Sequence, residues 1–347
     1  MTARPMLAGT EPGRAVFSDG QENARFGGRR CSTFMKLIKD KTSIDFLSRT
    51  SRTVAAVVAI VMLAISLSSL VARGLQFGLD FTGGILLEIA YPRAVDLDRL
   101  RGLMEAGGYE DAQVQSYGDD TDVLVRLPPQ ENADPDVLRD AISATLTADE
   151  PDAQVLRVEL VGPQVGEDLR EQGGTAVIIA LCMIFIYIMF RFQWKFAFGA
   201  IVATGHDVIV ILGFFSVFGW QFDLTVLAAV LAVIGYSLND TVVVFDRVRE
   251  NFLKLRGTGT EEAMNISINE TLSRTLITGI TTLLVLFALY FIAGETLAPF
   301  SLALIIGVLV GTYSSIYVAS ATAMLLNISA EDLLHAEKDA ELIDDLP

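Results

Sequence analysis

Six runs of apolar residues, at 53–72, 174–190, 197–218, 224–245, 275–293 and 299–326, have the length of membrane-spanning helices, about 17 residues or more. Between the first two runs the pattern changes. Over 73–172, apolar positions either alternate with polar ones or recur three and four apart. This predicts strand 85–91, helix 96–106, strands 112–117 and 122–127, helix 135–147 and strand 153–161. Turn signals separate them: Gly107-Gly108, Gly118-Asp119-Asp120, Pro128-Pro129 and Asp134-Pro135. That order is the split βαβ, ferredoxin-like arrangement. The expected fold is therefore a polytopic α-helical membrane protein of six transmembrane helices with a ferredoxin-like α+β domain outside the membrane.

The flanks follow from charge. Residues 1–34 have no apolar period and read as a disordered tail, with Met35 as an alternative start. Arg49 and Arg52 precede the first span. Arg191 and Lys195 lie between the second and third, and Arg247, Arg249, Lys254, Arg256 and Arg274 between the fourth and fifth. The turns at 219–223 and 294–298 contain no Lys or Arg. Positive charge marks the cytoplasmic side, so both termini are expected inside and 73–172 outside. Within the loop 246–274, residues 261–273 are expected to form a short amphipathic helix along the cytoplasmic face. Residues 327–347 form an acidic cytoplasmic tail.

Composition agrees and narrows the function. Hydrophobic residues make up 52% of the 347, and the mean hydropathy is +0.47, a membrane composition. A net charge of −16 argues against nucleic acid as a partner. Cys31 and Cys182 provide no disulfide framework, and His206 and His335 are the two histidines, so no metal set and no cofactor are expected. No nucleophile–base pair suggests an enzyme.

Candidate chemistry lies inside the spans. Asp240 falls roughly 24 Å along the fourth span at about 1.5 Å per residue, short of the charged exit at Asp246-Arg247. Burying a charge there costs about 2.5–3.5 kcal/mol, so the side chain calls for a function or a partner. Ala228, Ala232, Gly235 and Asn239 form a small stripe beside it, against which another helix can pack. Asp207, next to His206, lies about 15 Å into the third span, near mid-membrane. Arg274 opens the fifth span, with Thr278 and Thr281 following at helical spacing, and sits at a depth compatible with Asp240. Gly307, Gly311, Ser315, Ala319 and Ala323 make a packing stripe on the sixth span. After the first span, Phe77-Gly78-Leu79-Asp80-Phe81-Thr82-Gly83-Gly84 predicts a tight turn held by side-chain-to-backbone bonds.

Four of these segments resemble the SecF family of Sec protein-export membrane subunits: FGLDFTGG, GHDVIVILGFFS, GYSLNDTVVVFDRVREN and SRTLITGITTL. The resemblance implies half of a unit of the resistance–nodulation–division superfamily, located in the bacterial inner membrane. It implies a heterodimer with SecD, work with the SecYEG channel on unfolded preprotein after the SecA step, and use of the proton gradient. YajC and the YidC insertase are implied as further neighbours. The family's relay aspartate falls on Asp240 and its membrane arginine on Arg274, while Asp207 lies within a family motif. Two other readings stay open. One is a stand-alone proton-coupled exporter of lipid or small molecules, which needs a second six-span half and so a homodimer. The other is a scaffold, which leaves the buried charges unexplained.

Overall fold

The computed structural model describes residues 44–129, 135–255, 257–294 and 297–328. The tails expected at 1–34 and beyond 328 lie outside these residues. In chain order the elements are α1 (Arg49–Ala72), β1 (Gln76–Phe77), the single turn α2 (Leu79–Thr82), β2 (Gly84–Ala90), α3 (Leu97–Ala106), β3 (Gln113–Tyr117), β4 (Asp119–Leu127), α4 (Pro135–Asp149) and β5 (Gln154–Val161). Then follow α5 (Pro163–Arg191), α6 (Trp194–Phe218), β6 (Gln221–Phe222), α7 (Leu224–Lys254), α8 (Thr260–Ile292), α9 (Ala298–Ser314), a π-helical turn (Ser315–Ala319) and α10 (Ser320–Leu325).

Six helices are long and apolar enough to cross a membrane, the sixth being α9 continued through the π turn and α10. They fall into two classes. In α6, α7 and the sixth span, 56%, 50% and 61% of the apolar window is buried, against 11%, 11% and 17% in α1, α5 and α8. The first three form the core and the others surround it, presenting residues such as Val57, Ile60, Ile178 and Leu284 outward. That is the distribution expected where lipid rather than water covers the surface.

Close approach in the core depends on small residues. A Cβ on Gly307 would overlap the Val233 side chain, and one on Gly311 would come within 3.1 Å of Ser237 Cβ. The stripe expected on the sixth span thus packs on α7 at Gly307 and Gly311, and on α6 at Ala319 and Ala323, whose backbone approaches Gly199.

The domain between α1 and α5 is a four-stranded sheet in the order β3-β4-β2-β5, all neighbours antiparallel. This is the ferredoxin-like topology. Alternation along β2 sends Ile85, Leu87 and Ile89 to one face, where Leu100 and Met104 of α3 and Ile142 and Leu146 of α4 close the core. Fully burying each such side chain contributes about 1.5–3 kcal/mol.

Two helices differ from expectation. The amphipathic segment 261–273 is not a separate helix: α8 runs unbroken from Thr260 to Ile292. No Gly or Pro stands at Ser273-Arg274-Thr275, and a charged boundary marks a membrane edge without ending a helix. Likewise α5 starts at Pro163, well before its apolar run at 174–190, because Pro suits the first helical position. The segment before α1 docks on α8, with the Phe46 and Ile44 amides donating to Asn265 Oδ1 (2.9 Å) and Asn269 Oδ1 (3.0 Å).

Candidate functional site: the buried carboxylates and the outer base

Asp207 is 0% exposed and sits where α6, α7 and α9 meet. Its Oδ2 accepts from Ser237 Oγ of α7 at 2.6 Å and from Ser314 Oγ of α9 at 2.7 Å. His206 Nδ1 lies 3.2 Å from its Oδ1, so the neighbouring ring folds back on the acid, while His206 Nε2 is buried without a partner. A second hydroxyl pair lies alongside: Thr241 Oγ1 and Ser315 Oγ are 2.8 Å apart, and both approach the Ser237 carbonyl, at 3.1 and 3.2 Å. Ser314 closes α9 and Ser315 opens the π turn, so the local change of helical pitch delivers adjacent hydroxyls to two different targets.

Asp240, one turn beyond Ser237 on α7, is only 3% exposed, and its Oδ2 has no hydrogen-bond partner. No ion pair within 4.0 Å joins it to Arg274 among the described residues, although Arg274 is its charge partner at longer range. Arg274 itself is exposed. It lines a cavity of about 380 Å³ between α7 and α8, with Val242, Val243, Arg247, Glu270 and Thr271. In that cavity Glu270 Oε2 accepts from Arg247 Nε (2.6 Å) and Asn251 Nδ2 (2.8 Å).

The other expected residues separate. Thr278 and Thr281 bond back to carbonyls of their own helix, at 2.8–3.0 Å, and do not line a site with Asp240. Gly235 and Asn239 are exposed, as are Ala228 and Ala232, so the whole small stripe on α7 faces away from this chain.

At the other end of α7 stands the turn 77–84. Asp80 Oδ2 accepts from the Leu224 amide at 3.0 Å, while Asp223 caps the same helix through the Val226 amide at 2.8 Å. β1 pairs in parallel with β6, and the Gly78 amide donates to the Phe222 carbonyl at 2.8 Å. The expected side-chain bonds are present, and the one from Asp80 is long-range. Gly83 (φ 69°) and Gly84 (φ 118°) take conformations that side chains resist, and the Leu127 carbonyl occupies the place of a Gly84 Cβ. Arg126 of β4 donates to Thr82 Oγ1 at 2.5 Å. Burial lowers the pKa of the Arg126 guanidinium, and the charge of Asp80 works against that. The outer domain is thus fastened to the start of α7.

Sequence reading missed Ser237, Thr241 and Ser314, and gave Ser315 only a packing role. Their signal was present as hydroxyls inside apolar runs, but which acid each one meets depends on the register between helices. Among the described residues no cluster of His, Cys, Asp and Glu could hold a metal.

Residues 141–329 match the family model for the protein export membrane protein SecD/SecF C-terminal region, and residues 68–91 match the SecD/SecF GG motif. The protein translocase subunit SecF of Pseudomonas aeruginosa is 50% identical over 85% of this chain and 96% of its own length. That of Vibrio alginolyticus is 44% identical over 90% and 99%. Among solved structures, SecDF of Thermus thermophilus, a translocon-associated membrane protein, superposes with a TM-score of 0.76 at 36% identity over 84% of this chain. A super-membrane-facing form of SecDF gives 0.62 at 35% identity over 87%. This chain spans 40% of the length of each of those solved chains. With over half its length matched by the family model and near-complete relatives at these identities, the chain belongs to the SecF family of protein-export membrane proteins.

Proposed function

We propose that this chain is one half of a proton-driven export unit, using ion movement at Asp240 to move its outer domain and so assist preproteins through the Sec channel. The observation that carries the reading is Asp240 itself, a carboxylate buried in a membrane helix with an unpartnered oxygen. Such a group is costly unless its charge is used. The exposed stripe Ala228, Ala232, Gly235 and Asn239 lies beside it and offers close packing to a second six-span half. The longer SecDF chains, of which this one spans 40%, support a SecD-type partner in that place. SecYEG, unfolded preprotein, and YajC and YidC as neighbours belong to the same reading, as does action after the ATP-dependent SecA step. So do an inner-membrane location and cytoplasmic termini.

The mechanism follows from charge. Uptake of a proton by Asp240 removes its charge and its attraction to Arg274. Release restores both. One charge crossing 100 mV supplies about 2.3 kcal/mol, roughly a fifty-fold bias on a two-state equilibrium. A shift of α7 reaches the outer domain through Asp80 and the β1–β6 pair, which join the start of α7 to the base of the domain. Asp240→Asn is expected to leave the complex assembled and to abolish the part of preprotein export that depends on proton-motive force. Normal export by that variant across a range of proton-motive force overturns the reading.

A further inference from the structure

At the domain end of the bundle, α5, α6 and α7 enclose a slot of about 290 Å³, lined by Phe81, Gly174, Val177, Leu212, Leu227 and Val230, with Arg170 at its rim. Its size is at the lower end for small-molecule pockets, about 300–1,000 Å³, so it has room for one narrow chain. Its lining is almost wholly apolar, which excludes a polar solute. The stacked rings of Phe81 and Phe222, 5.7 Å apart, form part of its wall.

Two residues are unexplained by packing. Gly174 lies inside α5, where glycine costs about 1 kcal/mol relative to alanine, yet a Cβ there would meet nothing within 4 Å. Its neighbour Gly173 does have a packing role, because a Cβ there would come 2.7 Å from Leu227 Cδ2. Gly174 therefore leaves space rather than admitting a neighbour. Arg170 stands one turn before Gly174, where the polar start of α5 gives way to its apolar run, and it makes no ion pair among the described residues. Arg170 is the charged residue of the lining, and Glu167, Asp168 and Glu171 lie next to it along α5, exposed and without an ion pair among the described residues. Val177 lines the slot, and the next two residues of α5, Ile178 and Ile179, are exposed apolar side chains.

We propose that this slot binds a zwitterionic phospholipid of the outer leaflet, one acyl chain lying between α5 and α7 and the head group's phosphate on the Arg170 guanidinium. The amine of the head group meets Glu167 or Glu171. A guanidinium presents parallel donors to phosphate oxygens, and a chain inside the slot covers apolar surface that neighbouring helices leave open. The slot adjoins the turn that fastens the outer domain to α7, so an occupied slot props α5 at that junction.

The test uses the full chain in its native membrane complex, reconstituted in vesicles that contain phosphatidylethanolamine with a photoreactive acyl chain. Labelling at 170–177 and 208–212 is expected to exceed that on the lipid-facing side of α1, at Val57 and Ile60, at least fivefold. Gly174→Leu, which fills the slot, is expected to lower it about tenfold while the α1 label stays constant. Val177→Phe serves as a second filling variant should Gly174→Leu fail to assemble. Arg170→Gln is expected to lower slot labelling about threefold, and replacing phosphatidylethanolamine with a photoreactive phosphatidylglycerol to lower it as well. Slot labelling equal to that on α1, or unchanged by both filling variants, overturns the proposal. So does efficient disulfide cross-linking of Gly174→Cys to a neighbouring subunit, which assigns the slot to protein. Because the readout is lipid contact, its failure leaves the role of Asp240 untouched.

Discussion

Asp207 and Asp240 are buried carboxylates of the same core, one bonded to Ser237 and the other three residues beyond Ser237 on α7, and their surroundings are opposite. Asp207 is tied to two helices by hydroxyl donors at 2.6 and 2.7 Å and to its neighbouring imidazole. Asp240 is as deeply buried and has an oxygen with no partner. A fully bonded buried acid joins elements together, and losing it strands its donors. An acid without partners contributes little to holding the fold and remains available to bind a proton or a second chain. On the proposed function, that difference separates an anchor from a moving part within one core.

The largest effect expected from this contrast is on stability. Asp207→Leu strands the Ser237 hydroxyl, leaves Ser314 only its bond to the Gly311 carbonyl, and is expected to cost about 2–4 kcal/mol, whereas Asp240→Leu, which breaks no hydrogen bond, is expected to be neutral or stabilising. Thermal unfolding of the complex in mild detergent compares them, and equal losses would erase the distinction. Next comes the spacing that brings the helices together. Gly307→Ala drives a methyl into Val233 and is expected to cost about 1–3 kcal/mol in the same assay. Ser314→Ala removes one donor to Asp207, at about 0.6 kcal/mol and at most roughly 1.7, the range for polar contacts between membrane helices. A double-mutant cycle with Asp207→Asn is expected to show non-additivity, and strict additivity would deny the contact. The smallest effect belongs to the far end of α7, where Arg191 and Asp246 pair at 3.0 Å with half-exposed side chains. Asp246→Asn is expected to stay within about 0.5 kcal/mol of the wild-type stability.

Much of the fold was legible because periodicity reports burial directly. Six apolar runs became six spans, and alternation gave the four strands of the outer sheet near their observed limits. What was not legible depended on pairs of elements. Helix ends were misplaced where charge and helix geometry disagree, as at Arg274, which marks the edge of the apolar run while α8 passes straight through it. At the site, the burial of Asp240 and Asp207 was readable from their places inside apolar runs, while the small stripe on α7 is exposed in this chain. The threonines of α8 were given a place on a polar face, and their hydroxyls instead satisfy their own backbone. Ser237 and Ser314 were overlooked because one hydroxyl in an apolar run is unremarked until the facing helix is known. Asp80 read as local turn chemistry, yet its bond reaches the Leu224 amide, 144 positions away.

The most direct test of the separation between anchor and moving part is infrared difference spectroscopy of carboxyl bands in the intact, reconstituted complex as pH is cycled. The expected result is a protonated-carboxyl band that appears and disappears with pH, is abolished by Asp240→Asn and survives Asp207→Asn in complexes that remain assembled. A titrating band that persists in Asp240→Asn and vanishes in Asp207→Asn would contradict it, and would move the exchangeable proton to Asp207.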